Sequence, residues 1–429
     1  MLEELTTNAQ QIQDHLLCEI LGRNAGTEYL RRFLHGQTHK QLLETNVPIV
    51  AYEHLKPYIH RIANGEASLD VLLAEPVAGT GTSGGQPKLI PFTSETTNKT
   101  AIFNNLYRSV MLKHFGDINQ VGKRMELMFV KPEVETPSSL KASAVSTRSF
   151  KGSGFRAILP KLYTSPFEAI ICLDAKQSIY CQLLCGLIQR DEVVMIGSVF
   201  ASGVLRASVI LKPNPELADL IENLCSCKSW EGIIRKLWPR TKYIGTICTG
   251  AMIQYTAELE FYCGGIPLVS GFYACSEGAV GVNLEPLKTK SSDGDTEPVE
   301  LVNVKPGQCY ELLITSSTGL YRYRVGDILM VTGFHNNTPQ FRFVGRENVA
   351  LGVDVERTSE ADLLKAMTEA KTLVDPLGFI LTRYTSYGDT CSTPGHYVIF
   401  WELKAKEGNN GKELDPKVME ECCSGIEDL

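Results

Sequence analysis

The feature that most limits the fold of this chain is a loop rich in glycine and hydroxyl side chains, GTGTSGGQPK, at Gly79–Lys88. Glycines let a backbone approach a phosphate closely, hydroxyl groups donate hydrogen bonds to it, and a lysine neutralises its charge. These residue types together favour a polyphosphate site. A simple turn of glycine and serine remains the alternative if the loop is taken alone, because short motifs often match by chance.

The loop departs from the three best-known phosphate loops. A dinucleotide-binding loop opens a helix, whereas Pro87 and Pro91 flank the letters KLI, which are typical of a short strand. A Walker loop has its lysine after a glycine, whereas Lys88 follows a proline. A protein kinase would carry H-R-D and D-F-G motifs farther on, and the sequence has neither.

The size and charge of the chain favour a small-molecule site. Its 429 residues exceed the ~250 to 300 at which a single core usually stops growing, so we expect one large domain and one smaller one. The net charge is -7, from 42 basic and 49 acidic residues without a basic block. This balance argues against nucleic acid or an anionic membrane as the main partner.

The cysteines and the N-terminus predict a cytoplasmic protein. The 13 cysteines are scattered without paired C-x-x-C spacing, which argues against a disulfide framework and against a zinc module. The first residues mix acids and polar groups with apolar ones, unlike a signal peptide, and no apolar run approaches the ~20 residues of a membrane span. We expect a monomer with reduced thiols and no membrane partner.

Hydrophobic patterns predict the order of the elements. Residues 1–75 are mostly helical in pattern, and the middle of the chain alternates helical stretches such as SIYCQLLCGLIQR with β-branched runs such as EVVMIGSVF. Strands are predicted at CYELLIT, DILMVTGF and QFRFVG, after an acidic loop around 291–298. Ser359 and Asp362 fit a capping box that begins a helix, and HYVIFWEL alternates like a strand.

These patterns predict an α/β protein of two parts. Residues 1–352 would form a large N-terminal domain with mixed sheets and helices, which contains the predicted polyphosphate loop. Residues 353–429 would form a hinge and a smaller α+β C-terminal lobe.

Three motifs, in the right order, resemble those of the adenylate-forming superfamily that includes firefly luciferase. The loop supplies its hydroxyl, glycine and lysine positions through Thr80, Gly81, Thr82, Ser83 and Lys88. YACSE, at 273–277, resembles the aromatic-small-x-hydroxyl-Glu motif, and YRVGD, at 323–327, resembles the Y-R-x-G-D motif. The rest of the sequence resembles the plant acyl-acid amido synthetases, the auxin-responsive family that conjugates hormones to amino acids. The segments that carry this resemblance include YCQLLCGL, KSWEGIIRKLWP, GLYRYRVGDIL, TGFHN and PGHYVIFWEL. The resemblance covers nearly the whole chain.

The resemblance implies a ligase that uses ATP and Mg²⁺ to adenylate a small plant acid of the indole (auxin) or benzoate type and then joins it to an amino acid. Adenylation places negative charge on both sides of the α-phosphorus, and this charge must be neutralised. The β and γ phosphates would be held by Thr80, Thr82, Ser83 and Lys88. Glu277 would ligate Mg²⁺, which prefers carboxylate and phosphate oxygens, and Ser276 would donate to the α-phosphate.

The resemblance implies that other residues bind the nucleoside half of ATP. Tyr273 would cover the adenine, Asp327 would accept hydrogen bonds from both ribose hydroxyls, and Arg346 is counted with the nucleotide-binding residues. Taken alone, Asp327 is an ordinary turn aspartate and Glu277 a surface residue at a helix start. The order and spacing of the motifs outweigh both alternatives. For Tyr273 the alternative of a core aromatic stays open.

The resemblance also implies substrate contacts. Lys151 would pair with the carboxylate of the amino acid, a solvated surface lysine being the alternative. The acid pocket would be lined by Val145, Ser146, Phe272, Ala274 and Ala279. Because Ser146 and Ala279 stand where relatives carry larger side chains, the pocket is expected to be longer. Arg108 would steady a polar acyl group, although an exposed helical arginine is the commoner arrangement.

Three departures from the family pattern matter. Gly79 replaces the usual serine, and the joins at 211–213 and 288–297 are expected to be shorter than in relatives. The chain ends at Leu429, before most of the family's C-terminal lobe and before the lysine that is expected there. The lobe is therefore predicted to be incomplete. Two alternatives stay open: a ligase that passes the acyl group to a thiol such as coenzyme A, and a nucleotide-dependent binding protein without catalysis.

Overall fold

The computed structural model describes residues 2–66, 70–74, 77–83, 86–211, 230–275, 277–284, 299–346, 349–353, 356–389, 396–405 and 414–427. Its strands, in chain order, are β1 (Val77–Ser83), β2 (Gln86–Phe92), β3 (Lys123–Leu127), β4 (Val134–Glu135), β5 (Lys141–Ala142), β6 (Val193–Phe200), β7 (Tyr243–Ile247), β8 (Leu268–Val269), β9 (Phe272–Cys275), β10 (Gly278–Val282), β11 (Cys309–Ile314), β12 (Tyr323–His335), β13 (Thr338–Arg346), β14 (Val349–Val353), β15 (Glu356–Ser359), β16 (Phe379–Asp389) and β17 (His396–Ala405). The mixed α/β class predicted from the sequence is confirmed.

Helices dominate the first part of the chain, as predicted. They are Leu2–Thr7, Ala9–Asn24, Glu28–Leu34, Lys40–Asn46 and Tyr52–Ala63. In the last of these, the buried residues recur at helical spacing, namely Tyr52, Leu55, Ile59 and Ile62. This apolar face packs in one core with Tyr321 and Tyr323, so residues far apart in the sequence meet beside the glycine-rich loop.

The glycine-rich loop forms a β-hairpin. β1 and β2 pair antiparallel, with Gly81 opposite Lys88, and the short strand predicted at KLI is confirmed within β2. Residues 84 and 85, at the turn, lie outside the described part of the chain. The hairpin therefore presents Lys88 from a strand rather than from a helix.

A four-stranded parallel sheet has the strand order β3-β6-β7-β8. The first six residues of β6 are buried, as expected of a parallel strand that is covered on both faces. The helices after the hairpin are Ser94–Phe115, Ile118–Val121, Val145–Lys151, Ser153–Leu162, Phe167–Ile171, Ala175–Ile188, Ala201–Leu211, Ile233–Leu237 and Thr256–Cys263. The core between sheet and helices contains Met125, Leu183 and Trp238.

The three strands predicted after the acidic loop are confirmed as the antiparallel sheet β11-β12-β13. The acidic loop itself, the join at 288–297 and residues 212–213 of the other join lie outside the described residues. β9 and β10 form a separate antiparallel hairpin, with Glu277 between the two strands.

The last part of the chain combines helices with two hairpins. β14 pairs with β15 and β16 pairs with β17, and the helices are Glu360–Val374 and Pro416–Glu427. The predicted helix after Ser359 and the predicted strand HYVIFWEL are both confirmed. In the predicted hinge region, 353–358, residue 353 ends β14 and residues 356–358 belong to β15, while residues 354 and 355 lie outside the described part of the chain. The domain boundary at 352/353 stays a prediction. No helix of the described part is long and apolar enough to cross a membrane.

Candidate active site

Glu277 stands at the turn between β9 and β10, where a carboxylate is buried almost completely. Its residue is 5% exposed, and its Oε1 accepts a hydrogen bond of 3.2 Å from the hydroxyl of Tyr323. Tyr323 opens the third motif, so this bond joins the second motif to the third. Ser276 lies outside the described residues.

Asp327 lies on β12, one residue after Gly326, whose φ of 85° is a left-handed conformation that suits glycine. Asp327 is 5% exposed, and its Oδ2 accepts a hydrogen bond of 2.5 Å from the hydroxyl of Tyr273. Burial raises the pKa of the Asp327 carboxyl, while the bond from Tyr273 and the charge of Arg346 act in the opposite direction. A buried carboxylate with directed partners is typical of a binding site rather than of an exposed turn.

Arg346 stands directly opposite Asp327 in the β12–β13 register. Its Nε lies 3.1 Å from Asp327 Oδ1. The Nε hydrogen has no hydrogen-bond acceptor in good geometry, so the contact is an ion pair rather than a directed bond. The arginine therefore contributes charge beside Asp327 and keeps a donor for another acceptor.

The tyrosine of the second motif is held from both ends. The hydroxyl of Tyr273 donates to Asp327, and its ring lies 6.2 Å from the ring of Phe343 on β13. The neighbouring thiol of Cys275 is a poor nucleophile, because burial raises its pKa to about 12 and the charge of Glu277 adds to that effect. The packing of Tyr273 is thus consistent with both of the roles that its sequence left open.

Lys88 brings the first motif to the same place. Burial lowers the pKa of the Lys88 ammonium, the negative charge of Glu277 opposes this, and the charge of Arg346 adds to it. These charges act on one another only because Lys88, Glu277 and Arg346 are near neighbours. For Thr80, Gly81, Thr82 and Ser83 the structure describes the backbone of β1 alone.

The site holds two buried carboxylates, Glu277 and Asp327, and Asp327 is already paired with Arg346. Among the described residues, no group of three or more His, Cys, Asp or Glu side chains could hold a metal by itself. Magnesium often keeps several waters and uses only one or two protein carboxylates together with phosphate oxygens. Glu277, buried beside a lysine, therefore fits a metal that arrives with a polyphosphate.

The predicted acid pocket is built largely on the β9–β10 hairpin. Ala274 and Ala279 are directly opposite each other in its register, so their side chains share one face. Phe272, two residues before Ala274, points to that same face. Val145 and Ser146 open the helix Val145–Lys151.

The helix Ser94–Phe115 contributes Tyr107, which the sequence analysis missed. The ring centroids of Tyr107 and Phe272 lie 4.3 Å apart, and a Cβ at Gly271 would meet Tyr107 Cε2 at 2.1 Å. Arg108, the residue that was predicted to reach the pocket, is 59% exposed in its side chain and lies 4.0 Å from Asp117. The helical pattern predicts that the two neighbours face different directions, but it does not say which one faces the hairpin.

Lys151, at the end of its helix, already has an acidic partner. Its Nζ lies 3.1 Å from Glu133 Oε2, and the side chain is 38% exposed. Thr147, fully buried on the same helix, accepts a 2.9 Å bond from the backbone N–H of Lys131. The helix and the 131–133 loop are therefore joined, and an incoming carboxylate would compete with Glu133 for Lys151.

The chain matches three domains of one family. Residues 1–209 and 204–268 match the GH3 family N-terminal domain, residues 283–346 the GH3 family central domain and residues 361–429 the GH3 family C-terminal domain. The two parts of the N-terminal match overlap at residues 204–209, a few residues before the connection at 211–213 that was predicted to be short.

Individual relatives cover the whole chain. "Indole-3-acetic acid-amido synthetase GH3.17" of Arabidopsis thaliana is 45% identical over 513 aligned residues, which span 100% of this chain and 84% of that protein. "4-substituted benzoates-glutamate ligase GH3.12" of the same plant is 42% identical over 100% of this chain and 85% of its own length. The solved structure "AtGH3.15 acyl acid amido synthetase in complex with 2,4-DB" is 44% identical, has a TM-score of 0.82, and is matched over 100% of this chain and 84% of that one. The resemblance to plant acyl-acid amido synthetases is therefore confirmed, and the chain belongs to the GH3 family.

Proposed function

We propose that this protein is an ATP- and Mg²⁺-dependent acyl-acid amido synthetase. It adenylates a small carboxylic acid of the indole or benzoate type and conjugates the acid to an amino acid through an amide bond. The observation that carries the proposal is that two buried carboxylates, Glu277 of the second motif and Asp327 of the third, are joined by hydrogen bonds across the motifs: Tyr323 donates to Glu277 and Tyr273 donates to Asp327. The charge of Glu277 also acts on the pKa of Lys88, which belongs to the first motif. The names of two relatives, an indole-3-acetic acid-amido synthetase and a benzoates-glutamate ligase, support the proposed class of acid and the proposed amino-acid acceptor.

In the first half-reaction the acid carboxylate attacks the α-phosphorus of ATP and pyrophosphate leaves. Lys88 and the β1–β2 hairpin neutralise the leaving phosphates, while Asp327 and Arg346 hold the nucleoside side. Glu277 would hold a bound Mg²⁺, which would supply further positive charge to the phosphate oxygens. Because the site is buried, each of these charges acts more strongly than it would in water.

In the second half-reaction the amino group attacks the carbonyl carbon of the acyl-adenylate. The C–O bond to AMP breaks, AMP leaves, and the amine loses a proton. Lys151 binds the carboxylate of the amino acid and so orients the amine toward the carbonyl.

Transfer to a thiol and loss of catalysis are less well supported. The relatives named above are amido synthetases or amino-acid ligases. Two of the charged residues that adenylation requires, Glu277 and Asp327, are present and buried in this chain. The deciding experiment is a panel of acids against a panel of amino acids, with pyrophosphate release and product mass as readouts. Release without an amide product would contradict the proposal.

Substituting Lys151 is expected to separate the two half-reactions. In Lys151→Ala, acid-dependent exchange of pyrophosphate into ATP should stay within about two-fold of the parent. The KM for the amino acid should rise roughly 10- to 100-fold, because a charge-assisted hydrogen bond is lost. Steady-state kinetics of both half-reactions measure the difference.

Lys161→Ala is the matched control, since Lys161 is an exposed lysine on the next helix, Ser153–Leu162. It should leave both half-reactions unchanged. An equal loss of exchange and conjugation in Lys151→Ala would show that this lysine serves ATP or the fold instead of the amino acid.

Acid selectivity is expected to depend on Ala279. Its small side chain, opposite Ala274, leaves room for a longer acid, and each methylene that fills such space is worth ~1 kcal/mol, or roughly five-fold in kcat/KM. The parent should prefer indole-3-butyric to indole-3-acetic acid, and Ala279→Tyr should shift the preference toward the shorter acid. Ala175→Tyr, at an exposed helix start, is the control. An unchanged ratio in Ala279→Tyr would place this residue outside the acid pocket.

A further inference from the structure

Tyr52 binds the backbone next to the phosphate-site lysine. Its hydroxyl accepts a 3.0 Å hydrogen bond from the N–H of Leu89 and lies 3.2 Å from the carbonyl oxygen of the same residue, to which it donates. Leu89 follows Lys88 on β2, and Tyr52 is 6% exposed at the start of its helix. One side chain thus forms hydrogen bonds with both backbone polar groups of a strand residue.

The hydroxyl of Tyr52 forms the hydrogen bonds that a neighbouring strand would otherwise form with Leu89. β1 and β2 form a two-stranded sheet in the described part of the chain, so β2 has a strand partner on one side only. The N–H and C=O of a strand residue point to the same side, and those of Leu89 point to Tyr52. Without the hydroxyl, these groups would lose their partners in a largely buried place, which weakens the hold on the strand.

The ring of Tyr52 also contacts the lysine itself. Lys88 Nζ lies 5.0 Å from the ring centroid, which is within the range of a cation–π interaction. The hydroxyl of Tyr52 therefore fixes the backbone beside Lys88, and its ring lies beneath the ammonium group.

The residues just before Tyr52 are attached to the other side of the site. The N–H of Val50 donates to the carbonyl of Arg322 at 3.1 Å, and the N–H of Arg324 donates to the carbonyl of Val50 at 2.9 Å. These two bonds flank Tyr323, whose hydroxyl donates to Glu277. The short segment 50–52 thus connects the strand of Lys88 to the residue that holds Glu277.

We infer that Tyr52 is a positioning residue for adenylation, which acts through Lys88 and sets the place of its ammonium group relative to Glu277. This inference rests on the proposed role of Lys88 in binding the phosphates of ATP. It assigns a function in phosphate binding to a residue that lies outside all three motifs.

The test is Tyr52→Phe, which keeps the ring and removes the hydroxyl. Binding of ATP, inorganic pyrophosphate and AMP, each with Mg²⁺, is measured by calorimetry on the full chain. Affinities for ATP and pyrophosphate should fall roughly 5- to 30-fold, as expected when buried polar groups lose a partner, while the affinity for AMP stays within about two-fold. An equal loss for all three ligands would overturn the inference, because general damage to the fold affects AMP as well.

Tyr58→Phe is the matched control. Tyr58 lies on the same helix, its hydroxyl accepts a hydrogen bond from Arg32, and its ring packs edge-on against Tyr29 at 5.3 Å. The variant loses one hydroxyl, whose hydrogen bond goes to Arg32 rather than to β2, so binding of all three ligands should be unchanged. A loss in Tyr58→Phe equal to that in Tyr52→Phe would also contradict a specific role for Tyr52.

A double-mutant cycle with Lys88→Ala separates this inference from the function on which it rests. If Tyr52 acts through Lys88, Tyr52→Phe should cause no further loss of ATP affinity in the Lys88→Ala background. Additive losses would overturn the inference alone. If Lys88→Ala by itself leaves ATP affinity intact, the proposed role of Lys88 is wrong and the inference is wrong with it.

Discussion

Glu277→Gln is expected to lower the rate of acid-dependent pyrophosphate exchange roughly 30- to 1000-fold, the usual effect of removing one positioned charge from a transition state. The amide oxygen can still accept the bond from Tyr323, so the buried contact that holds the side chain is kept. What the variant loses is the negative charge that a hard cation requires.

A second readout ties this loss to the metal. The concentration of Mg²⁺ that gives half-maximal exchange should rise in Glu277→Gln, because fewer charged ligands remain. Glu311→Gln is the control: Glu311 is a largely buried carboxylate on β11 that pairs with Arg324, and it belongs to none of the motifs. Loss in the control equal to that in Glu277→Gln would mean that any charge change in this region disturbs the enzyme.

Asp327→Asn is expected to lower kcat/KM for ATP by a similar factor, roughly 30- to 1000-fold. Two effects add up in this variant. The ribose loses a charged acceptor, and Arg346 loses the carboxylate that lies 3.1 Å from its Nε. Thermal unfolding, measured in parallel, distinguishes this loss from a loss of the fold.

The sugar provides the specific readout for Asp327. The parent should discriminate strongly against 2′-deoxy-ATP and 3′-deoxy-ATP, and Asp327→Asn should lose most of this discrimination, because the acceptor of both hydroxyls has been weakened. If Asp327→Asn discriminates between ATP and the deoxy-nucleotides as the parent does, Asp327 binds some other group.

Much of the fold could be predicted because its signals are local. The alternation of EVVMIGSVF with helical stretches, the helix start after Ser359 and the proline-flanked strand of β2 each depend on a few neighbouring residues, and each was found in the structure. The charged groups of the site could be predicted because each of them lies in a short motif whose residues follow a recognisable order. That these charged groups lie close together was implied only by the resemblance to a known family.

The partners of these groups could not be predicted, because they depend on contacts between distant parts of the chain. In its own helix Tyr52 is one more apolar residue at helical spacing, and nothing nearby indicates that its hydroxyl binds Leu89. Tyr323 likewise has no local signal for Glu277. Long-range partners of this kind are set by tertiary packing rather than by pattern.

Strand register shows the same limit. β12 and β13 are joined at Asn336 and Asn337, and the pairing between the strands shifts twice, between Ile328 and Leu329 and between Val331 and Gly333. Each shift alone would turn the later side chains to the other face of the sheet. The two shifts cancel, and only for that reason does Asp327 stand opposite Arg346.

In the proposed function, the acid is activated through attack of its own carboxylate oxygen on the α-phosphorus of ATP. The most direct measurement uses an acid substrate labelled with ¹⁸O in both carboxylate oxygens, together with an amino acid and mass spectrometry of the nucleotide product. Attack on the α-phosphorus leaves one carboxylate oxygen on AMP, so each AMP should carry one ¹⁸O for each amide formed. Unlabelled AMP, or ADP with the label in inorganic phosphate, would contradict the account.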